Sequence, residues 1–395
     1  MHANGSDEQF LVAARYWGAG LWLTSLTMAT IVVGGLSAKT NLLVLVGVGS
    51  FLLGTFWSPR SAPAGVVAES SASRGRPTSA MLFLFVVVVL QCGLAYRAIS
   101  SLSDLGAEFR ESYYEGDVQG GSVLFVLYES FLVPLGVYAV AHWLTRRTSI
   151  GLWVLATSSF FCLDALLKAG RFPLYFLFFF LALSRALGVT KIRLWVYGAV
   201  ATVLMLGALL IALARQGMSV NSEWSVITEL FTVGVMNYHI VGFYIFEQIS
   251  NNATFIDALG AGAYTFGFFS YVTALISRRA GFELHYPQQD LNIALTQDSY
   301  VPGLGTYNAF GTNLLPLYVD AGFIGIVIGF YSLGWLVRGG LRRQSGVGAI
   351  DVIALFVMIF GLFQPLIMGA YLWVPLVFDS LRKVSTRMVL PGKAG

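Results

Sequence analysis

Long apolar runs separated by short polar segments dominate the chain, and they predict membrane-spanning helices. An α-helix needs about 20 apolar residues to cross a hydrocarbon core of about 30 Å. Several runs are apolar on every face, as between Met81 and Leu90. We expect spans at Trp17–Leu36, Thr40–Trp57, Ala80–Tyr96, Ser122–His142, Ile150–Leu167, Phe172–Leu187, Leu194–Leu213 and Asn313–Val337.

The last apolar stretch, Val347 to Asp379, is too long for one ordinary crossing. Gln364 and Pro365 lie near its middle. A proline in a helix interior removes a backbone donor and clashes with the preceding turn. We therefore expect two short helices here.

One long polar-rich segment, residues 215–312, contains two further apolar stretches, Ser225–Phe246 and Leu259–Ile276. The connection between them, Glu247–Ala258, has acidic residues but no lysine or arginine. Two complete crossings would leave this connection in the cytoplasm without a positive anchor, so partial or re-entrant insertion is the alternative. The total is ten or twelve spans.

Composition and charge agree with this pattern. Only 11% of the 395 residues are charged and the mean hydropathy is +0.73, which excludes an ordinary soluble globule. With the N-terminus inside, sixteen of the 24 lysines and arginines fall on the inner side and eight on the outer side. Both termini are then cytoplasmic, and the net charge of +4 reflects this sidedness and not a nucleic-acid partner.

These observations predict an all-α fold, a polytopic transmembrane helical bundle of about ten to twelve spans that forms one membrane domain over residues 1–395. Residues 58–79 form an inner linker that is rich in serine, alanine, proline and arginine. The outer regions are residues 97–121, the tight turn 168–171, and the large loop 215–312.

Three acidic residues, Glu129, Asp164 and Asp320, lie inside predicted spans, all in the outer half of the bilayer. Ionisable groups at such positions are costly, which makes each a candidate for function. Asp164 and Lys168 are spaced four residues apart on one helix face and predict an ion pair. The alternative is that these groups only hold helices together.

The outer cations suggest a phosphate site, because guanidinium groups offer planar, permanently charged donors. Arg215 and the pair Arg278 and Arg279 can instead be interface anchors beside spans. Arg171 lies in a turn too short to need an anchor. The candidates are Lys168, Arg171, Arg215, Arg278 and Arg279.

The outer segment also supplies candidates for proton transfer and for sugar binding. His239 and His285 can act as bases, and the acidic residues Asp290 and Asp298 follow the second histidine in the sequence. The stretch before the span at Asn313 is rich in groups that suit sugar hydroxyls and ring faces, although an interfacial aromatic belt explains the tyrosines equally well. These groups include Tyr300, Tyr307, Asn308 and Asn313. No metal-ligand spacing, P-loop or dinucleotide fingerprint occurs.

The order of these features resembles the bacterial oligosaccharide repeat unit polymerases, the Wzy or O-antigen polymerase type. The resemblance covers mainly Leu163 to Trp335. It rests on Ala169-Gly170-Arg171 in the tight outer turn, Arg215 closing a span, and Thr306-Tyr-Asn-Ala-Phe310 leading to Leu317-Tyr-Val-Asp320-Ala-Gly322-Phe-Ile-Gly325.

The resemblance implies a glycosyltransferase on the periplasmic side of the bacterial inner membrane. Such an enzyme moves a growing glycan from one undecaprenyl-diphosphate carrier to the sugar end of another lipid-linked repeat unit. The outer cations would hold the diphosphate, and His239, His285, Asp290 or Asp298 would take the acceptor proton. Glu129, Asp164 and Asp320 would bind sugar or support the site.

This implied role requires neither a metal nor a cofactor. Its partners are the lipid-linked donor and acceptor, membrane lipid, and a chain-length regulator protein, with no nucleic acid. Two alternatives stay open. One is an O-antigen ligase, and the other is a lipid-linked oligosaccharide flippase or another secondary transporter.

Overall fold

The structure, a computed structural model, describes residues 3–32, 35–57, 79–101, 127–146, 149–168, 172–191, 193, 196, 199, 203, 238–251, 262–282, 284, 291, 295, 299–301, 305–307, 311–341 and 347–388. Its α-helices are α1 (Ala3–Val32), α2 (Ala38–Phe56), α3 (Ser79–Ser101), α4 (Val133–Arg146), α5 (Ile150–Leu167), α6 (Phe172–Ala186), α7 (Tyr238–Ser250), α8 (Gly267–Arg279), α9 (Leu314–Val337), α10 (Ala349–Phe360) and α11 (Ala370–Met388). A π-helical turn, Tyr128–Leu132, leads directly into α4.

The described residues confirm the prediction of an all-α fold. Their strands form one antiparallel hairpin, β1 (Ser299–Val301) and β2 (Gly305–Tyr307). Four of the described helices, α2, α3, α5 and α9, are long and apolar enough to cross a membrane. The shorter helices α6 and α10 are also apolar. The chain is therefore built to be embedded in a membrane, while the number of spans stays a prediction.

Most predicted spans correspond to observed helices. The predicted span at Ile150–Leu167 coincides with α5. The long C-terminal stretch does divide into two helices, α10 and α11, with the short 3-10 turn Leu366–Met368 between them. The predicted span at Leu194–Leu213 lies outside the described residues apart from isolated positions.

The helices form two compact units. The first unit contains α3 to α6 together with the π-helical turn. The second unit contains α2, α7 to α11, the hairpin and most of α1. The prediction of a single membrane domain stays a prediction.

In the first unit, the helices are held together by aromatic packing. Phe160 is fully buried on α5, and its ring fills the space that a Cβ on Gly136 of α4 would need. Phe161 stacks on Phe180 of α6 with ring centroids 5.7 Å apart. Trp153 donates its indole N–H to the carbonyl oxygen of Val140 on α4 at 3.1 Å.

In the second unit, α2 and α9 run side by side in the same direction. The ammonium group of Lys39, near the start of α2, lies 5.0 Å from the ring centroid of Tyr318 near the start of α9. Towards their other ends, Gly54 and Gly334 allow the two backbones to touch. Small residues permit this close approach between membrane helices. The shared direction agrees with the predicted spans, which both begin on the outer side.

The contact at Gly54 gives a test of this packing. A Cβ at Gly54 would meet main-chain atoms of Tyr331 and Trp335, so we expect Gly54→Ala to lower the free energy of unfolding by about 1–3 kcal/mol. Gly49→Ala on the same helix is the matched control, since a Cβ there meets no atom within 4 Å. Unfolding in detergent measures both variants, and equal stability of the two would contradict the proposed contact.

Candidate functional site

A cluster of charged side chains lies at the end of α5 in the first unit. The ammonium group of Lys168 is 3.0 Å from Oδ2 of Asp164 and 3.0 Å from Oε2 of Glu129. Asp164 is 0% exposed, Lys168 15% and Glu129 28%. The ion pair predicted from the four-residue spacing is confirmed, and Glu129 joins it from the π-helical turn.

The π-helical turn has a local cause in Pro134. Because proline has no N–H, the ordinary α-helical bond to the carbonyl of Ser130 cannot form, and the ring crowds that carbonyl. The backbone instead widens, and the N–H of Val133 bonds to the oxygen of Tyr128, five residues earlier. Such π-turns are often found at functional sites. Here the turn carries Tyr128 and Glu129 towards α5.

Two neutral side chains extend the charged cluster into the buried interior. The hydroxyl of Tyr128 donates to Oδ1 of Asp164 at 2.8 Å, and Nε2 of Gln91 donates to that hydroxyl at 2.8 Å. Both side chains are almost fully buried. The side-chain oxygen Oε1 of Gln91 has no hydrogen-bond partner among the described residues. Neither residue is among the candidates predicted from the sequence, although a glutamine inside the apolar run of α3 is itself a signal of a functional or structural polar contact.

The charges of this cluster bear on the predicted phosphate site. Among the described residues, the ammonium group of Lys168 contacts two carboxylates, which compensate its positive charge. A phosphate bound by Lys168 would have to share its ammonium group with both carboxylates, whose negative charges oppose the phosphate. The described contacts therefore favour a positioning role for Lys168 at the start of the turn to Arg171, which itself lies outside the described residues.

In the second unit, Asp320 sits at a break in α9. Ala321 and Gly322 have non-helical backbone angles, and Gly322 has φ +59° and ψ −138°, a conformation that strongly favours glycine. The carboxylate of Asp320 accepts the backbone N–H of Tyr264 at 3.0 Å and that of Thr265 at 2.6 Å. Asp320 therefore fixes the turn that leads into α8, and its negative charge lies near the positive N-terminal end of that helix.

A second contact holds the same turn. The indole N–H of Trp373 on α11 lies 3.0 Å from the carbonyl oxygen of Thr265 and 2.9 Å from that of Ile367. The ring of Phe266 lies 4.7 Å from the Trp373 ring. The turn is thus tied to both α9 and α11.

Asn313 joins the start of α9 to the interruption between α10 and α11. Its backbone N–H donates to the oxygen of Gly361 at 2.6 Å, and its side chain bonds to the oxygen of Val357 and the N–H of Ile367 at 2.9 and 3.0 Å. A Cβ at Gly361 would collide with this amide. Asn313 is fully buried, so these contacts favour a supporting role over sugar binding.

His239, a predicted base, lies in the first turn of α7. Its ring meets the Phe363 ring edge to face, with centroids 4.6 Å apart, and it is partly exposed. One turn later, a Cβ at Gly242 would lie 3.0 Å from the oxygen of Leu362. His239 therefore approaches the same interruption that Asn313 contacts from α9.

Polar contacts join α7 to α2, and the sequence pattern alone does not predict them. Glu247 accepts the backbone N–H of Ser37, the residue that caps the start of α2, with its nearer oxygen at 3.0 Å. Lys39 reaches the oxygen of Ser250, at the end of α7, at 3.5 Å. Each charge thus faces the helix end of opposite partial charge.

These contacts place α7 within the second unit. Its last residue lies beside the start of α2, while Gly242 lies near Thr312, two residues before α9 begins. The partial or re-entrant insertion of the segment Ser225–Phe246 stays a prediction, because residues 225–237 lie outside the described part of the chain.

The remaining predicted site residues are either exposed or lie outside the described part of the chain. Arg278 is exposed near the end of α8. The side chain of Tyr300 is 65% exposed, while its carbonyl oxygen accepts Nε2 of Gln248 at 2.9 Å. The following lie outside the described residues or have undescribed side chains: Arg171, Arg215, Arg279, His285, Asp290, Asp298, Tyr307 and Asn308.

Comparisons with known proteins do not add a relative to this picture. No protein-family model matches the chain, and no curated protein or solved structure is significantly similar to it. Within the described ranges, no three histidine, cysteine or acidic side chains are grouped so that they could hold a metal ion.

The charged cluster gives a stability prediction. Lys168→Met leaves the fully buried Asp164 without its cation, which we expect to lower the free energy of unfolding by about 3–5 kcal/mol. Glu129→Gln should cost less, because Glu129 is partly exposed and Asp164 keeps its partner. The double variant Lys168→Met/Asp164→Asn should recover part of the loss. Thermal unfolding in detergent tests this ranking, and a larger loss for Glu129→Gln would refute it.

Asp320 gives a second prediction. Asp320→Ala removes both acceptors from the turn before α8, so amide hydrogen exchange at Tyr264 and Thr265 should become faster. Asp320→Asn keeps one acceptor oxygen and should show a smaller effect. Hydrogen exchange with mass spectrometry measures both variants. Unchanged exchange in Asp320→Ala would mean that the turn does not depend on this carboxylate.

Proposed function

We propose that the chain is a membrane glycosyltransferase of the polysaccharide polymerase type, working on oligosaccharides linked to undecaprenyl diphosphate. The observation that carries the proposal is the charged cluster at the end of α5. Lys168 is held by Asp164 and Glu129 and lies three residues before Arg171 in the sequence. A backbone fixed at Lys168 would help to keep a nearby cation in the one position that a bound diphosphate requires.

The proposed reaction needs no redox step. The acceptor hydroxyl attacks the anomeric carbon of the donor sugar, and the bond from that carbon to the diphosphate oxygen breaks. The diphosphate leaves with the bonding electron pair, while a base takes the hydroxyl proton. Arg171 and Arg215 offset the negative charge that develops on the leaving group. Candidate bases are His239, His285, Asp290 and Asp298.

The segment that carries part of the resemblance has a physical role in the second unit. Asp320 fixes the turn before α8, and Gly322 adopts the positive φ that breaks α9. Gly325 lies so close to the oxygen of Leu317 that a Cβ would collide with it. These residues shape the backbone of the second unit, and we assign them supporting roles.

We place the enzyme in the bacterial inner membrane, with both termini in the cytoplasm and the reaction on the periplasmic side. This proposal follows from the distribution of lysine and arginine along the sequence. Its partners would be the lipid-linked donor and acceptor, with a chain-length regulator protein in the same membrane. No metal or nucleotide takes part in the proposed reaction.

A transporter for lipid-linked oligosaccharides is a second candidate, and a specific feature favours it. The second unit contains two interrupted helices, α9 at Ala321–Gly322 and the segment between α10 and α11. Transporters often bind substrate at such interruptions. Vesicles supplied with substrate on one side discriminate the two functions, because an enzyme lengthens the glycan whereas a transporter only moves it.

An O-antigen ligase is distinguished from a polymerase by the products that accumulate when the gene is deleted. Loss of a polymerase leaves single repeat units on the final acceptor. Loss of a ligase leaves long polymer on the carrier lipid. A ladder that shows only single units therefore supports the polymerase.

The outer arginines give the direct test of the proposed enzyme. Arg171→Ala and Arg215→Ala should abolish polymer while the protein remains in the membrane, because the diphosphate would lose cationic donors. Arg110→Ala, an outer arginine with no assigned role, is the matched control and should retain polymer. Glycan ladders and membrane immunoblots measure both quantities. Normal polymer from both variants would exclude the proposed phosphate contacts.

A further inference from the structure

A cavity of about 510 Å³, largely open to its surroundings, lies in the first unit between the start of α5 and the turn after α6. Ligand sites are commonly about 300–1,000 Å³ in volume. Hydrocarbon groups make up most of the cavity wall, and the two polar side chains come from consecutive residues. The lining residues are Ile150, Gly151, Val154, Val189, Thr190 and Lys191.

The turn that forms one wall has a fixed backbone. Gly188 has φ +64°, the N–H of Val189 bonds to the oxygen of Ser184, and the N–H of Gly188 bonds to that of Arg185, both at 2.9 Å. This is the Schellman arrangement that ends many helices. The hydroxyl of Thr190 lies 3.0 Å from that of Ser184. The ammonium group at the cavity is therefore presented by a rigid turn.

The surroundings of the cavity are positively charged. Lys191 and its neighbours Arg185 and Arg193 are exposed. Asp164 is the only acidic residue between positions 131 and 222, and it belongs to the far end of α5. Asp164 lies ten to fourteen residues beyond the cavity-lining residues of α5, which corresponds to about 15–21 Å along the helix axis. An anionic group at the cavity thus meets the ammonium group of Lys191, and the sequence segment that forms the cavity has no carboxylate at this end of α5.

The start of α5 adds to this preference for an anion. Ile150 and Gly151 are its first two residues, and the preceding Ser149 makes no side-chain hydrogen bond to cap the helix. The first N–H groups of a helix have no partner within it and carry a partial positive charge. These N–H groups lie at the same end of α5 as the cavity, which Ile150 and Gly151 line.

We propose that this cavity binds an anionic phospholipid, with a fatty acyl chain against the apolar wall and the phosphate at Lys191. Basic pockets between membrane helices recognise anionic lipid headgroups in this way. A small free anion would make no use of the apolar wall, and an uncharged lipid would make no use of Lys191. The proposed lipid site does not depend on the proposed enzymatic function.

Native mass spectrometry of the full-length protein in detergent provides the experiment. Phosphatidylglycerol and phosphatidylcholine with the same acyl chains are added separately, and inorganic phosphate is added as a third probe. We expect phosphatidylglycerol to be retained about fivefold more than phosphatidylcholine, since one basic contact near a membrane surface favours an anionic lipid by about that factor. Equal retention of the two lipids would overturn the proposal.

Two variants test separately the contribution of the charge of Lys191 and that of the space in the cavity. Lys191→Gln should remove the preference for phosphatidylglycerol. Gly151→Leu should reduce retention of both lipids, because a Cβ at Gly151 meets no atom within 4 Å and the larger side chain can enter the cavity without a clash. Gly93→Leu on α3, where a Cβ is equally unobstructed, and Arg278→Gln in the second unit are the controls.

The other outcomes of this experiment either overturn or support the proposed lipid site. Lipid binding that survives both Lys191→Gln and Gly151→Leu would overturn the assignment of this cavity. Competition by inorganic phosphate as strong as that by phosphatidylglycerol would replace the lipid with a simple anion site. Loss of the preference in Lys191→Gln together with weaker retention of both lipids in Gly151→Leu, with both controls unchanged, supports the lipid site.

Discussion

Polar groups inside an apolar helical bundle must find partners within the protein, and this requirement governs the described structure. In the second unit, the helical ladder stops at the end of α10, where backbone groups lose their partners. The side chain of Asn313 accepts the N–H of Ile367 and donates a second hydrogen bond to the oxygen of Val357, which also keeps its helical bond from the N–H of Gly361. The indole N–H of Trp22 satisfies the oxygen of Met358 at 2.9 Å. The interruption is stable because these two side chains complete it.

The same requirement explains the first unit. Asp164 is fully buried, and its carboxylate is satisfied by Lys168 on one oxygen and Tyr128 on the other. The π-helical turn forced by Pro134 brings Tyr128 and Glu129 to that carboxylate. A buried charge network of this kind costs desolvation energy, so it fixes geometry more than it adds stability. The geometry that it fixes is the start of the turn containing Arg171.

Interrupted helices and buried charges are features that allow a protein to bind a polar group within a membrane. Asp320 and Trp373 hold the turn before α8, and His239 approaches the interruption beside Phe363. A polymerase and a transporter can both use such features, which is why the proposed experiments rest on products and not on geometry. The cavity beside Lys191 adds a separate role for lipid, one that concerns the protein's surroundings more than its reaction.

The sequence by itself determined the class of fold and most helix positions, because runs of apolar residues permit few structures in a membrane other than helices. It also determined the division of the C-terminal stretch at Pro365 and the pair Asp164–Lys168, since both depend on local spacing. Only the tertiary structure decided that Glu129 joins this pair, and that Asn313 and Asp320 bond to backbone groups far along the chain. Such contacts depend on how distant segments pack, and neither hydropathy nor residue spacing carries that information.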